Sequence, residues 1–347
     1  MKGAPLRVAV VGLGYWGPNL VRVLHELPSA EVVAACDTDP LRTAAVARRY
    51  PALRVTQDYD EILADETVDA VAIATTVGTH FELARAALEA GRHVFVEKPM
   101  AGSVAEAQAL VALAEEQEVT LMPGHTFLYS PAVNVVRELI QTGELGDIYF
   151  ISMSRVNLGL HQSDASVIWD LGPHDFSILQ YWLEESPLLV NAMTRSCIIE
   201  GVPDVAFVTL GYASGTVANV ELAWLAPSKL RRTAVVGSRK MVVYDDTSNE
   251  PVRVFDSGVD LPTPSDFGQY KLTYRTGEIV SPAIPPVEPL ALELDDFCTA
   301  ALTGRPPRST ARLGVSVVDV IEEAERSSLR AFVGMDDGAV RSRPGPA

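Results

Sequence analysis

Up to about residue 122 the chain alternates short β-branched runs with longer stretches whose apolar residues recur at helical spacing. That is the pattern of repeated βαβ units around a parallel sheet. Five runs predict strands: LRVAVVG at 6–12, EVVAACD at 31–37, VDAVAIAT at 68–75, RHVFVEK at 92–98 and VTLMPG at 119–124. Helical stretches separate them, and THFELARAALEAG ends on Gly91, a residue suited to stopping a helix. A doubly wound parallel sheet is expected over residues 1–124. After a helix near 131–142 the texture becomes one strand after another, from DIYFISMSRV to KMVVYDD, with period-2 alternation. Residues 125–335 therefore predict a second, α+β domain with an open, largely antiparallel sheet. Neither Val205, Phe207 and Thr209 nor Val217, Asn219 and Glu221 shows which face of that sheet is covered. Residues 245–288 are Pro-rich and are expected to be irregular, helices at 290–304 and 311–328 close the fold, and a tail at 336–347 is expected to be disordered.

The 347 residues suffice for about two domains. The 28 Lys and Arg stand against 45 Asp and Glu, a net charge of −17 that argues against nucleic acid or an anionic membrane as partner. Hydrophobic residues make up 48% and charged residues 21%, the balance of a folded globular chain. Cys36, Cys197 and Cys298 are far apart and match no CxxC spacing, so neither a disulfide framework nor a zinc knuckle is indicated. No run approaches the roughly 20 apolar residues of a spanning helix, and the N-terminus lacks a signal-peptide pattern. A cytoplasmic, soluble protein is the expectation.

Gly12, Gly14 and Gly17 form GxGxxG directly after a predicted strand and at the start of a predicted helix. In that context the glycines give a tight turn, close approach of backbone to a pyrophosphate, and close packing of helix on strand. The helix N-terminus adds free N–H groups and a positive dipole end. Asp37 lies 20 residues beyond Gly17 at the end of the next strand, where a carboxylate would accept a ribose 2′-hydroxyl and repel a 2′-phosphate. The first domain thus reads as a Rossmann domain for NAD rather than NADP. Tyr15 and Trp16 in the glycine loop, Thr75, Thr76 and His80 after the third predicted strand, and Glu97 and Lys98 after the fourth join the candidate cofactor residues. Thr76 and Thr79 also fit a plain helix N-cap, and Arg42 a solvated helix position.

Lys98, one of five lysines, stands at a predicted strand end in Glu97-Lys98-Pro99, where doubly wound folds bind ligands. Its plain alternative is a surface ion pair with Glu97. In WDLGPHD, Asp170 and His174 are four apart, so on a helix they share a face and the carboxylate can orient the imidazole. A metal pair or a capped helix with a core histidine are the alternatives; the missing third ligand weighs against metal. Trp169 reads as core or as a substrate contact. Arg155, Lys229, Arg231 and Arg232 are candidate cations for a diphosphate or carboxylate, or else solvated surface.

GLGYWG, Glu97-Lys98-Pro99 and Asp170 through His174, in this order, resemble the Gfo/Idh/MocA oxidoreductases over essentially the whole chain. The resemblance implies NAD-dependent dehydrogenation at a CH–OH group, with Lys98, His174 and Asp170 as the catalytic set. Where relatives carry a GFNRRF-like segment this chain has GHTFLYSPAV, which turns attention to His125 and Tyr129 as substrate contacts, with Arg155, Asn157 and Trp169. The string NLGLHQSDASVIWDLGPHD is similar to the branch that oxidises sugar nucleotides such as UDP-N-acetylglucosamine. A small-molecule sugar or sugar-nucleotide substrate is implied, and a homodimer or homotetramer through the C-terminal sheet. An inositol or free-sugar dehydrogenase, a ketosugar reductase and a dinucleotide-binding regulator without turnover are the other readings.

Overall fold

The computed structural model describes residues 4–159, 161, 165–260 and 272–336. The chain divides into two compact units. One comprises residues 1–135, 176–181 and 284–319, the other residues 136–175, 182–283 and 320–347.

The first unit is built on six parallel strands: β1 (Leu6–Val11), β2 (Ala30–Cys36), β3 (Arg54–Thr56), β4 (Ala70–Ile73), β5 (His93–Glu97) and β6 (Leu121–Gly124). Their order, β3-β2-β1-β4-β5-β6, is that of a doubly wound dinucleotide-binding sheet. Helices α1 (Gly17–Glu26), α2 (Pro40–Arg49), α3 (Tyr59–Leu63), α4 (Val77–Glu89) and α5 (Val104–Glu116) alternate with the strands. Strands β1, β4 and β5 are apolar on both faces, and Val8, Val10, Val71, Ile73, Val94 and Val96 are fully or almost fully buried. Two sheet faces covered by helices leave no room for polar alternation. The one strand of this sheet outside the five predicted from sequence, β3, has only three residues, too short to display a period. Beyond β6 come a 3₁₀ turn at Thr126–Tyr129 and α6 (Pro131–Gln141).

The second unit carries β7 (Ile148–Val156), part of α7 (Val167–Leu183), and then β8 (Leu189–Arg195), β9 (Val205–Gly211), β10 (Val217–Ala223), β11 (Leu230–Gly237), β12 (Met241–Asp245), β13 (Val252–Asp260) and β14 (Thr273–Val280). They form one eight-stranded sheet, β14-β13-β12-β11-β7-β10-β9-β8, antiparallel throughout except between β7 and β10. The expected irregularity of residues 245–288 is corrected here: β13 and β14 lie inside that range. β13 pairs with β12, and Val252 and Val254 alternate into the core. β14 is an edge strand exposed at almost every position, so burial imposes no alternation on its sequence. The covered face of β9 is also settled, since Ala206, Val208 and Leu210 are buried while Phe207 and Thr209 face out.

Helix α8 (Pro289–Thr303) belongs to the first unit, where Leu290, Leu294, Phe297 and Cys298 join its core. Helix α9 (Ala311–Asp336) follows. It includes the first residue of the tail expected to be disordered, and residues 337–347 lie outside the described residues. No helix among the described residues is long and apolar enough to cross a membrane.

Candidate active site

The glycine loop follows β1 directly. Gly12 has φ +90°, and a Cβ there would meet the Ala74 carbonyl at 2.7 Å; one on Gly17 would fall 1.8 Å from Gly12 O. Both positions therefore demand glycine, for left-handed backbone and for close approach. Gly12 N–H donates to Cys36 O at 2.8 Å, tying the loop to β2. Asp37, just past β2, is buried and accepts from Leu13 N–H at 2.6 Å and from Asp39 N–H at 2.9 Å, with Arg42 Nη1 at 3.4 Å. One carboxylate thus braces the loop from below. No side chain caps α1, and its first turn holds no acidic residue, which leaves its N–H donors and dipole for an anion. Tyr15 is exposed and stacked on Trp16 at 6.3 Å. These residues fit an NAD pyrophosphate and adenosine ribose.

At the end of β4, Thr76 is the N-cap of α4 without a side-chain cap bond, and Thr79 Oγ1 reaches Thr75 Oγ1 at 2.8 Å. His80, expected beside the cofactor, is instead buried between backbone carbonyls. Its Nδ1 lies 2.8 Å from Pro99 O and its Nε2 3.2 Å from Thr75 O. It ties the β4 and β5 turns together, and burial, with Lys98 nearby, lowers its pKa.

Lys98 follows the last residue of β5 and is half-buried, and its bond to Pro99 is cis. Glu97 is buried, so an exposed Glu97–Lys98 ion pair is not what this dipeptide forms. Burial pushes Glu97 up to about 7 against the opposing pull of Lys98. His125 and Tyr129 are also interior. His125 is 1% exposed, and burial, with repulsion from Lys98, pulls it down to about 3, so it stays neutral. Tyr129 Oη donates to Asp296 Oδ2 at 2.7 Å and accepts from Ser309 N–H at 3.1 Å. The Arg308 guanidinium lies 4.9 Å over its ring. With both hydroxyl functions used inside the first unit, Tyr129 is a structural tie rather than the substrate contact that the sequence suggested.

In the second unit, α7 carries Trp169, Asp170 and His174, all half-buried. Trp224 Nε1 donates to Asp170 Oδ2 at 2.9 Å. A Cβ on Gly159 would sit 2.8 Å from the Trp224 ring, and His161 meets that ring edge-on at 5.4 Å. Asn157 extends β7 by a backbone bond to Ala223 O at 3.1 Å. Arg155 is corrected from substrate cation to internal pair: buried itself, it donates from Nε and Nη2 to Asp175 at 2.7 and 3.0 Å. Arg231 lies 2.9 Å from Asp246, while Lys229 and Arg232 are exposed.

The sequence reading missed Trp224, Asp175 and Glu293. Glu293 was detectable, because it is an acidic residue between Leu290, Leu294 and Phe297 on the apolar face of a helix. No group of three His, Cys, Asp or Glu among the described residues could hold a metal.

A glycine cradle braced by an acidic residue, on a 3-2-1-4-5-6 parallel sheet and joined to a separate antiparallel sheet unit, defines a two-unit dinucleotide-binding oxidoreductase. Residues 6–125 match the model of the oxidoreductase family with NAD-binding Rossmann fold, and residues 133–243 match the GFO/IDH/MocA C-terminal domain. Together they cover more than half of the chain, which belongs to the Gfo/Idh/MocA oxidoreductase family. It is 30% identical to D-apiose dehydrogenase of Paraburkholderia graminis over 62% of this chain and 60% of that protein, so the match spans less than two thirds of that relative. It is 27% identical to UDP-N-acetylglucosamine 3-dehydrogenase of Acidithiobacillus ferrooxidans over 87% of this chain and 90% of that one. The solved structure of GenD2 from gentamicin A biosynthesis, in complex with NAD, superposes with a TM-score of 0.80 at 28% identity over 95% and 96% of the two chains.

Proposed function

We propose that this chain is an NAD-dependent dehydrogenase oxidising a secondary hydroxyl of a sugar or sugar nucleotide. Lys98 carries the reading: a half-buried lysine at the carboxyl edge of the same parallel sheet whose β1 end holds the glycine cradle. NAD, when bound, supplies the acceptor for the hydride. The Lys98 ammonium holds the substrate hydroxyl and stabilises negative charge developing on its oxygen. His174 takes the hydroxyl proton, a role suited to an imidazole whose ordinary pKa is about 6.5. Asp170, fixed through one oxygen by Trp224, lies one helical turn before His174 and orients it.

A sugar nucleotide needs cations for its diphosphate. The engagement of Arg155 with Asp175 and of Arg231 with Asp246 favours a neutral sugar or inositol as the alternative substrate. A panel of free sugars, inositols and UDP-sugars, followed by the absorbance of reduced nicotinamide, tests the proposal. Turnover of at least one is expected, and bound NAD with no turnover across the panel would instead favour a regulator. The outward Phe150, Leu189, Met193 and Phe207 of the eight-stranded sheet support a homo-oligomer through that face, measurable by sedimentation. The three cysteines are free, which suits the cytoplasm.

A further inference from the structure

The buried face of α4 carries His80, Ala84, Ala87 and Leu88, at i, i+4, i+7 and i+8 on one side of the helix. A polar ring among such neighbours costs free energy unless it is hydrogen-bonded. His80, 1% exposed, meets two partners, and both are backbone carbonyls: Nδ1 lies 2.8 Å from Pro99 O and Nε2 3.2 Å from Thr75 O. A carbonyl only accepts, so each bond needs a proton on the ring, and a neutral imidazole carries one. Burial and the neighbouring Lys98 charge favour the neutral ring, against the opposing pull of the two carbonyls. The carbonyls therefore compete for a single N–H. The shorter contact, at the ordinary N–H···O distance, is the one to Pro99.

The two carbonyls belong to turns with different work. Thr75 borders the glycine cradle, for a Cβ on Gly12 would lie 2.8 Å from Thr75 Cγ2 and 2.7 Å from Ala74 O. Pro99 follows Lys98. The proline ring fixes φ of Pro99 and restricts the backbone of Lys98, so the dipeptide is stiff and the orientation of the Pro99 carbonyl is passed on to Lys98. On its other side Lys98 continues the β5–β6 register, in which Glu97 pairs with Gly124, and its N–H reaches Glu97 Oε2 at 3.3 Å. No other hydrogen bond reaches the Pro99 carbonyl among the described residues.

We propose that His80 is a positioning residue for the reaction: as the neutral Nδ1–H tautomer it donates to Pro99 O while packing against Thr75, and so sets the turn that carries Lys98 against the wall of the glycine cradle. The kinetic part rests on Lys98 being catalytic as read above; the tautomer does not. Being buried, His80 acts through Lys98. Hydride transfer from a hydroxyl held by Lys98 depends on that setting, since a misplacement of about 1 Å costs about 100-fold in rate.

Two measurements test this. Nitrogen-15 NMR of the imidazole rings in the full chain, with His80 assigned by difference against His80→Asn, reads the tautomer without substrate or NAD. A protonated Nδ1 and an unprotonated Nε2 are expected at neutral pH; an imidazolium, or the Nε2–H tautomer, would overturn the proposal. Kinetics with the sugar identified by the panel, alongside an NAD titration, read the positioning. Asn places its amide N–H near the position of Nδ1 and Gln near that of Nε2. His80→Asn should therefore keep most of kcat, whereas His80→Gln and His80→Leu should lose about 100-fold, all three with NAD affinity unchanged. A side chain needed only for stability would leave Asn and Gln equivalent. Equal kcat in those two, undiminished kcat in His80→Leu, or a loss of NAD affinity that matches the loss of kcat would overturn the positioning role. If His80→Leu fails to fold, the Asn and Gln variants decide between them. A Lys98→Met variant with full turnover would refute the role of Lys98 and leave the tautomer standing, while an inactive Lys98→Met beside a fully active His80→Gln would keep Lys98 and remove His80.

Discussion

The Arg155–Asp175 pair gives the sharpest stability prediction, because burial and geometry point the same way. Both side chains are about one-twentieth exposed, and two parallel bonds join the guanidinium fork to the carboxylate. Asp175→Asn keeps the shape but strips the countercharge from a buried guanidinium. Breaking one side of such a pair costs about 3–5 kcal/mol, because the surviving charge stays desolvated. For a unit of this size each kcal/mol shifts the unfolding midpoint by roughly 2–4 °C, so Asp175→Asn should lower it by roughly 6–20 °C. The double variant Arg155→Met with Asp175→Leu replaces both charges by apolar volume and should recover most of that loss. Differential scanning calorimetry on wild type and both variants, following the transition that responds to the change, measures this directly. Its refutation is an Asp175→Asn protein as stable as wild type, or a double variant no better than the single one. The double variant also checks the correction made for Arg155. If it folds with an unchanged substrate KM, Arg155 is a structural cation; a raised KM would return it to the substrate.

Gly17→Ala drives a Cβ into Gly12 O and should weaken NAD binding at least about tenfold, the factor given by roughly 1.4 kcal/mol, in a fluorescence titration. Tyr129→Phe strands the buried Ser309 N–H and takes one of several hydrogen bonds from Asp296, and should cost about 1–3 kcal/mol in urea unfolding, with kcat retained if Tyr129 is only a tie. Glu97 is more easily protonated folded than unfolded, so its contribution to stability is full below about pH 4.5 and is lost as pH rises to about 7. That contribution amounts to about 3 kcal/mol, and Glu97→Gln should flatten this part of the urea stability profile.

The parallel sheet was legible because strands buried on both faces read as unbroken apolar runs, and because GxGxxG has meaning only between a strand and a helix. The glycine cradle, with Asp37 at its base, followed from the same context. What stayed hidden had no local signal. β3 is shorter than one period, β14 is an exposed edge, and nothing in LALELDDF tells which unit α8 packs against. Candidate site residues failed where a polar side chain had two possible partners. Arg155 found Asp175 twenty residues away, and Tyr129 found Asp296 on α8, pairings that only the tertiary fold decides. Polar types that read as ligand contacts in sequence are equally suited to internal ties.

The most direct test of the central claim is Lys98→Met assayed with whichever sugar the panel identifies, with NAD affinity measured in parallel. The account predicts kcat lowered by about 100-fold to 1,000-fold, as when a group stabilising the developing oxyanion is removed, while NAD binds as before. Undiminished turnover by the Met variant would contradict it.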